Sequence, residues 1–300
     1  MTAPRPLISV IIPCYNQSHF LGEAIESIKA QTYPHAEIVV VDDGSTDDPA
    51  EVVGRYTGVG FFRQENQGPA AARNTGIRQS EGAYLTFLDA DDRLLPDALE
   101  IGARYLAANP ECAFVSGHCS YIAADGSPLS TPRQPVVDSE HYLAFLHKNY
   151  VWAGSTVLHR RECLAAVAGY NTSLNVKGAE DYELYLRVSR EFPVFCHGET
   201  IAEYRQYETY GANVSGNPGL MLRSTLSALR GQWKHVKGDE RLERVYREGI
   251  RHKKKLWGGL LFDQVSTQIG TRRERMRAVR GLLMLLGYDA PGLLMHLIGR

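Results

Sequence analysis

The chain has 300 residues, of which 44% are hydrophobic and 22% are charged. It is therefore long enough to bury a sizeable core and lacks the composition of a disordered protein. Its five cysteines are odd in number and lack paired spacing, which argues against a disulfide framework or a cysteine zinc site and favours buried thiols in a reducing compartment.

The sequence carries no signal for export or for membrane insertion. Only six residues, Leu7 to Ile12, form the first apolar run, which is too short for the core of a signal peptide. No run of about twenty apolar residues exists that could span a bilayer. We therefore expect a cytoplasmic protein.

The net charge of −1 hides an uneven distribution. Residues 221–300 hold 17 Lys and Arg against 7 Asp and Glu, whereas the first 220 residues hold 16 against 27. An acidic body thus carries a basic C-terminal segment. Such a segment could face nucleic acid, an anionic membrane or the acidic surface of the protein itself.

The first hundred residues predict four buried strands that alternate with helices. Their nearly continuous apolar character is typical of parallel strands covered on both faces. The predicted strands are 7–12, 37–42, 59–63 and 83–88. Ser18 is expected to cap the first helix, and Pro69 to lie in the first turn of a later one. This alternation favours a mostly parallel sheet with right-handed crossovers.

Three loops follow strands of this predicted sheet, near Tyr15, Asp43 and Asp91. The carboxyl ends of parallel strands meet at one edge, which is where open α/β sheets bind ligands. We therefore expect these loops to converge on one crevice.

Clustered acids end the fourth strand: Asp89, Asp91 and Asp92. Carboxylates this close repel one another unless a cation or a proton compensates them. Oxygen ligands suit a hard ion such as Mg²⁺ or Mn²⁺, which commonly bridges to phosphates. A solvated acidic turn is the alternative interpretation.

The alternation of strands and helices is less regular beyond Pro110. We interpret this half as the side that binds an acceptor substrate. Apolar stretches occur at 112–115 and 156–158, and short strands are expected at 192–195 and 201–207. Between them, Glu180 and Asp181 are predicted to lie in the first turn of a helix, where the macrodipole favours negative charge. A purely capping role is the alternative.

Helices are predicted throughout the C-terminal part, from about Gly219 to Trp233 and from Asp239 to Gln268. The last segment, Arg272–Leu286, is basic at first and then apolar. Such a helix could lie on a membrane surface, dock on the body or pair with a second subunit.

Five motifs, taken together in their order, resemble the family-2 nucleotide-sugar glycosyltransferases, inverting enzymes of the GT-A fold. The motifs are Ser9–Asn16, Val40–Asp47, Gly68–Gly76, Asp89–Asp92 and Glu180–Asp181. The resemblance covers about residues 7–215. It implies an α/β fold of the GT-A type, Rossmann-like, with a mostly parallel central sheet flanked by helices and a C-terminal helical extension. Residues 1–218 would form the transferase domain, with a nucleotide-binding half (1–110) and an acceptor half (111–218), and 219–300 the basic extension.

The resemblance also implies roles at the nucleotide side of the site. Pro13, Tyr15 and Asp43 would form the floor under the nucleotide, with the Asp43 carboxylate accepting from the base and the Tyr15 ring stacking on it. Arg73 resembles the positively charged residue that the family places near the nucleotide; a surface salt bridge is the alternative.

Metal and catalytic roles follow in the same way. Asp89 resembles the residue that contacts ribose or metal, and Asp91 the direct metal ligand. Asp181 resembles the catalytic base, with Glu180 beside it orienting the acceptor or the loop. One departure concerns a Tyr-Arg-x-His stretch common in the family, because here Tyr207 stands at the histidine position.

These roles imply a metal-dependent glycosyltransferase (Mn²⁺ or Mg²⁺) that uses a nucleotide diphosphate sugar, a UDP-sugar being favoured. The acceptor would be a saccharide or a lipid-linked saccharide of bacterial surface polysaccharide synthesis, with peripheral contact to the inner membrane face through residues 271–300. Nucleic acid is not an expected partner, and a homodimer is left open.

Two other functions are weighed against the transferase. One is a magnesium-dependent phosphohydrolase with Asp89 as nucleophile and Asp91 as acid and base. The other is a non-catalytic module that binds sugar nucleotides.

Overall fold

The computed structural model describes residues 5–172, 177–207 and 216–267, together with Gly287. All of the predicted basic and apolar helix at 272–286, and all but Gly287 of the membrane contact predicted at 271–300, lie outside these residues. Among the helices that the structure describes, none has both the length and the apolar character needed to cross a bilayer.

Helices and strands alternate along the first half of the chain. The strands are β1 Ile8–Cys14, β2 Ala36–Asp42, β3 Val59–Arg63, β4 Tyr84–Phe87, β5 Arg93–Leu94, β6 Phe114–Ile122, β7 Pro128–Leu129, β8 Val157–Arg160 and β9 Phe195–Arg205. The helices are α1 Ser18–Lys29, α2 Pro49–Val53, α3 Pro69–Arg78, α4 Ala98–Ala108, α5 His141–His147, α6 Arg161–Ala166, α7 Glu180–Glu191, α8 Pro218–Gly231, α9 Trp233–Val236 and α10 Glu240–Thr267. A short 3-10 helix, Gly154–Thr156, precedes β8.

The four strands predicted from the first hundred residues are present and parallel. β1 pairs with β2 on one side and with β4 on the other, and β2 pairs with β3. The remaining strands extend the sheet in mixed directions, giving the order β3-β2-β1-β4-β8-β6-β9-β5, with β7 paired to β6. β8 runs antiparallel to β4 and β6, whereas β9 runs parallel to β6.

β1 is covered on both faces, as its apolar run predicts. Ile8, Val10 and Ile12 are fully buried in a core cluster that includes the apolar face of α1. On the other face, Ile11 meets α3 so closely that a Cβ on Gly76 would lie 2.2 Å from the Ile11 Cγ2 atom. The glycine at position 76 therefore permits α3 to pack closely against β1.

Two local predictions were wrong. Ser18 is the first residue of α1 rather than its cap, and its backbone N–H donates instead to Oδ2 of Asp47 at 2.8 Å. The two strands expected at 192–195 and 201–207 are one strand, β9. Its register against β6 shifts near His118, and such an irregularity lets a long strand pass through a polar, glycine-containing stretch without ending.

The described residues group into two compact units whose sequences interleave. The first contains residues up to 142, 149–172 and 184–207, and with them the whole sheet. The second contains residues 143–148, 177–183 and those from 216 onward, and with them α8, α9 and α10. The domain boundary predicted at residue 218 stays a prediction. All five cysteines are buried and free, as expected.

Candidate functional site

The loops that follow β1 and β2 are joined by hydrogen bonds at the carboxyl edge of the sheet. Asn16 lies in the left-handed region with φ 54°, and its backbone N–H donates to Oγ of Ser45 at 3.0 Å. Its side-chain Oδ1 accepts from the backbone N–H of Thr46 at 2.8 Å. Beside this junction Pro13 is half-buried and Tyr15 is 49% exposed. An aromatic ring this exposed, on a fixed loop, is available to a planar ligand.

Asp43 lies at the same edge of the sheet, and its carboxylate already accepts hydrogen bonds from the protein. It is 3% exposed and accepts hydrogen bonds from Nε2 of Gln64 at 2.7 Å and from the backbone N–H groups of Gln67 at 3.0 Å and Gly68 at 2.8 Å. Because a carboxylate offers about four lone-pair sites, three protein donors leave little capacity for a ligand. The Asp43 carboxylate thus holds the loop formed by residues 64–68 in place. The predicted contact of Asp43 with a nucleobase stays a prediction.

The structure brings together two of the predicted site residues, Arg73 and Asp89. The Arg73 side chain on α3 is only 5% exposed and donates from Nη2 to Oδ1 of Asp89 at 2.8 Å. The guanidinium also lies 5.4 Å from the centre of the Tyr170 ring. The Asp89 side chain is 40% exposed, so it is accessible while a buried cation holds it. The alternative of a surface salt bridge does not describe this pair, since the arginine is buried.

Asp91 contacts the residue at which this sequence departs from the family pattern. The hydroxyl of Tyr207 donates to Oδ2 of Asp91 at 2.8 Å. Burial and the charge of Asp91 both raise the pKa of Tyr207, so the phenol stays protonated and remains a donor. Tyr207 therefore orients the Asp91 carboxylate through one of its two oxygens.

Arg205 supports the acidic loop from below and was missed by the sequence analysis. It is fully buried, and its Nε donates to the backbone oxygen of Asp91 at 2.7 Å. Its two Nη atoms reach the backbone oxygens of Ala123 and Ala124 and Oε2 of Glu23, the last at 2.7 Å. The sequence analysis noted the stretch that ends at Tyr207 and contains Arg205, but gave Arg205 itself no role.

Asp92 is the buried member of the three acids. Its Oδ1 accepts from the backbone N–H of Arg205 at 2.9 Å. Burial, together with the negative charges of Asp91 and Asp89, raises the pKa of Asp92 well above its ordinary value. Asp92 thus links the loop to β9, and the accessible carboxylates are those of Asp89 and Asp91.

Asp89 and Asp91 are the residues here that could hold a divalent cation. Two oxygen donors from carboxylates suit Mg²⁺ or Mn²⁺, ions that usually complete their shell with water and phosphate oxygens. Over the ranges that the structure describes, no group of three or more His, Cys, Asp or Glu side chains is arranged to hold a metal without such help.

Glu180 and Asp181 lie in the second compact unit. Both fall in the first turn of α7, as predicted, with Glu180 buried and Asp181 half-buried. The next residue, Tyr182, is buried and donates from its hydroxyl to the backbone oxygen of Phe145 at 2.7 Å. Asp181 is therefore the accessible acid of the two. Its role as a base stays a prediction.

Comparison with known proteins identifies relatives over most of the chain. The model of the family described as "Glycosyl transferase family 2" matches residues 9–161. The chain is 31% identical over 215 residues to the "Putative teichuronic acid biosynthesis glycosyltransferase TuaG" of Bacillus subtilis, a match that covers 68% of this chain and 81% of the relative.

Solved structures share the fold at low identity. One is Staphylococcus aureus TarS 1-349 in complex with UDP, with a TM-score of 0.66 at 17% identity, covering 98% of this chain and 92% of that 1-349 chain. Another is the mannosyltransferase PcManGT from Pyrobaculum calidifontis in complex with GDP-Man and Mn²⁺, with a TM-score of 0.62 at 19% identity, covering 98% and 88%. These likenesses confirm the fold predicted from the sequence.

Proposed function

The chain belongs to glycosyl transferase family 2, and from this premise we propose that it moves a sugar from a nucleotide diphosphate sugar to an acceptor hydroxyl with inversion at the anomeric carbon. Membership of a family of transferases sets aside the phosphohydrolase and the non-catalytic binding module. The enzyme class is therefore glycosyltransferase, and the proposal concerns its donor, its metal and its catalytic residues.

One observation supports the donor site most directly. Two accessible carboxylates, Asp89 and Asp91, follow a parallel strand at the carboxyl edge of the sheet, and each accepts a hydrogen bond from a neighbouring side chain. Such pre-oriented oxygens need no rearrangement before they meet a ligand. On the same sheet edge, the exposed ring of Tyr15 offers a stacking surface for a nucleobase.

A nucleoside diphosphate is the ligand that suits this set. TarS and PcManGT were solved with UDP and with GDP-Man, which supports a nucleotide donor for this chain as well. We favour uridine as the base, because Tyr15 and Asp43 resemble the floor under the nucleotide in this family. The name of TuaG supports an acceptor in cell-surface polysaccharide synthesis.

Asp89 and Asp91 would hold a divalent ion, Mn²⁺ or Mg²⁺. Their carboxylate oxygens are the ligands that such ions prefer. When bound, the ion supplies positive charge that neutralises the leaving diphosphate. Arg73 would keep Asp89 in place, and Tyr207 would do the same for Asp91.

Asp181 is the proposed base. In an inverting displacement, the acceptor oxygen forms its bond to the anomeric carbon as the bond from that carbon to the diphosphate breaks. A carboxylate must take the acceptor proton in the same step, and no covalent intermediate with the protein is needed. The first turn of α7 suits this role, since a helix N-terminus favours an ionised carboxylate.

Calorimetric titration with UDP, GDP and dTDP, each with Mn²⁺ and then with EDTA, tests the donor site. We expect one nucleotide to bind in the micromolar range and to lose affinity in EDTA. Tyr15→Ala should weaken that binding about tenfold, since stacking on an aromatic ring contributes about 1–3 kcal/mol per base. Trp233→Ala, which removes another exposed aromatic ring, is the matched control.

Two outcomes would count against parts of the proposal. Failure of all three nucleotides to bind to the folded protein would contradict the donor site as a whole. Equal nucleotide affinity with Mn²⁺ and with EDTA would contradict the proposed metal dependence, while the proposed nucleotide site would stand.

A further inference from the structure

The segment that carries Glu180 and Asp181 is held within the second unit by three helices. On one side of the segment, Oγ of Ser224 on α8 donates to the backbone oxygen of Lys177 at 2.9 Å. On the other side, the hydroxyl of Tyr182 donates to the backbone oxygen of Phe145 at the end of α5. The two acids thus lie between two anchored points.

The third helix, α10, contributes a buried lysine. Lys253 is 3% exposed, and its Nζ lies 4.6 Å from the centre of the Tyr182 ring. A cation over an aromatic face is attracted to it, and the attraction is larger where water is excluded. Lys253 therefore contacts the residue that directly follows Asp181.

The approach of α10 to this segment is fixed one helical turn earlier. A Cβ on Gly249 would lie 1.9 Å from the backbone oxygen of Leu146, so α10 and the end of α5 are in backbone contact there. Lys253, four residues further along α10, is consequently placed by a rigid contact rather than by the flexibility of its own side chain.

A lysine in this position is costly, which sets it apart from an ordinary packing residue. Burial, together with the like charge of Lys148, lowers the pKa of Lys253 to about 7. Burial and nearby cationic groups, Lys253 and Lys148 among them, also lower the pKa of His252, the residue before Lys253 on α10. A methionine would fill similar space without the desolvation of an ammonium group.

We propose that Lys253 is a positioning residue for the reaction: by holding the ring of Tyr182, it fixes the turn that presents Asp181. This inference deepens the proposed function and rests on Asp181 being the base. It assigns a task to the C-terminal helices, which lie outside the part of the chain that the family model matches.

Hydrogen exchange measured by mass spectrometry at pH 6, below the pKa of about 7, where Lys253 is mostly protonated, tests the placement without any acceptor. In Lys253→Met, we expect amides of peptide 177–186 to exchange about tenfold faster, because a desolvated cation–π contact is of the size that changes a population by that factor. Lys255→Met removes a solvent-exposed lysine from the same helix and should leave that peptide unchanged.

Kinetics then test the consequence. Lys253→Met should lower kcat about tenfold while KM for the donor and Kd for the nucleotide stay the same, and Lys253→Arg, which keeps a cation, should recover part of the loss. Unchanged exchange in peptide 177–186, or faster exchange throughout the chain, would overturn the inference. Sugar transfer by Asp181→Asn at the wild-type rate would instead refute the assignment of Asp181 as the base, whatever the result for the Lys253 variants.

Discussion

Replacing Arg205 by methionine should destabilise the protein severely, although this residue is outside the set of predicted ligand contacts. The guanidinium is fully buried and makes four hydrogen bonds, to the backbone oxygens of Asp91, Ala123 and Ala124 and to Glu23. Methionine restores most of the volume but none of the donors. The acceptors would be left without their partner in a region that water does not reach.

The magnitude follows from these contacts. Removing one partner of a buried charged network costs about 3–5 kcal/mol, and we take about 4 kcal/mol because the Glu23 side chain is partly solvated. For a chain of this size, that loss lowers Tm by roughly 10 °C. The same substitution should also weaken nucleotide binding, since Arg205 fixes the backbone of the loop that carries Asp91.

Thermal unfolding at pH 7 measures the effect, with Arg104→Met as the matched control. Arg104 is 60% exposed and pairs with Glu199 at 2.6 Å, so its loss should cost less than about 1 kcal/mol. If Arg205→Met unfolded within about 3 °C of the wild type, the buried network would not stabilise this fold and the reasoning would be refuted.

Two further predictions concern Asp43 and His159. Asp43→Asn should lower the free energy of unfolding by about 1–3 kcal/mol, because an amide NH₂ would face one of the three N–H groups that now donate to the carboxylate. It should also weaken nucleotide binding. Thermal unfolding measures the first effect and calorimetry the second. Burial lowers the pKa of His159 to about 3. Below pH 6.5 this imidazole is therefore protonated in the unfolded chain while it stays neutral in the folded protein. The wild type should therefore lose up to about 4 kcal/mol between pH 6.5 and pH 3 that His159→Leu keeps, and parallel stability curves in urea would contradict this.

The parts of the fold set by local pattern could be predicted from the sequence. β1 to β4 follow from short apolar runs, and their parallel pairing follows from the intervening helices. The position of Asp89 and Asp91 at the carboxyl edge then follows as well. The first turn of α7 was found in the same way, from the apolar spacing that comes after Asp181.

The parts set by long-range contacts could not be predicted. Arg205 bonds to Glu23, which is 182 positions away, and to Asp91, which is 114 positions away, and no local periodicity encodes such pairs. The bond from Tyr207 to Asp91 joins residues 116 positions apart in the same way. The mixed second half of the sheet, in which β9 passes between β6 and β5, depends on similar distant pairing.

The proposed function assigns separate tasks to two sets of residues, and that separation can be measured. The sheet edge with Asp89 and Asp91 would bind the nucleotide, whereas Asp181 would act only on the acceptor proton. A substitution at Asp181 should then affect chemistry without affecting nucleotide affinity.

Asp181→Asn tests this claim most directly, with Asp97→Asn as a control at an exposed acid that forms no capping hydrogen bond. Both variants are titrated with the nucleotide that the wild type binds, and both are assayed for transfer to an acceptor found by screening the wild type. We expect unchanged Kd in both variants and a loss of about 10²–10⁴ in transfer rate for Asp181→Asn alone. Transfer by Asp181→Asn at the wild-type rate would contradict the assignment of the base.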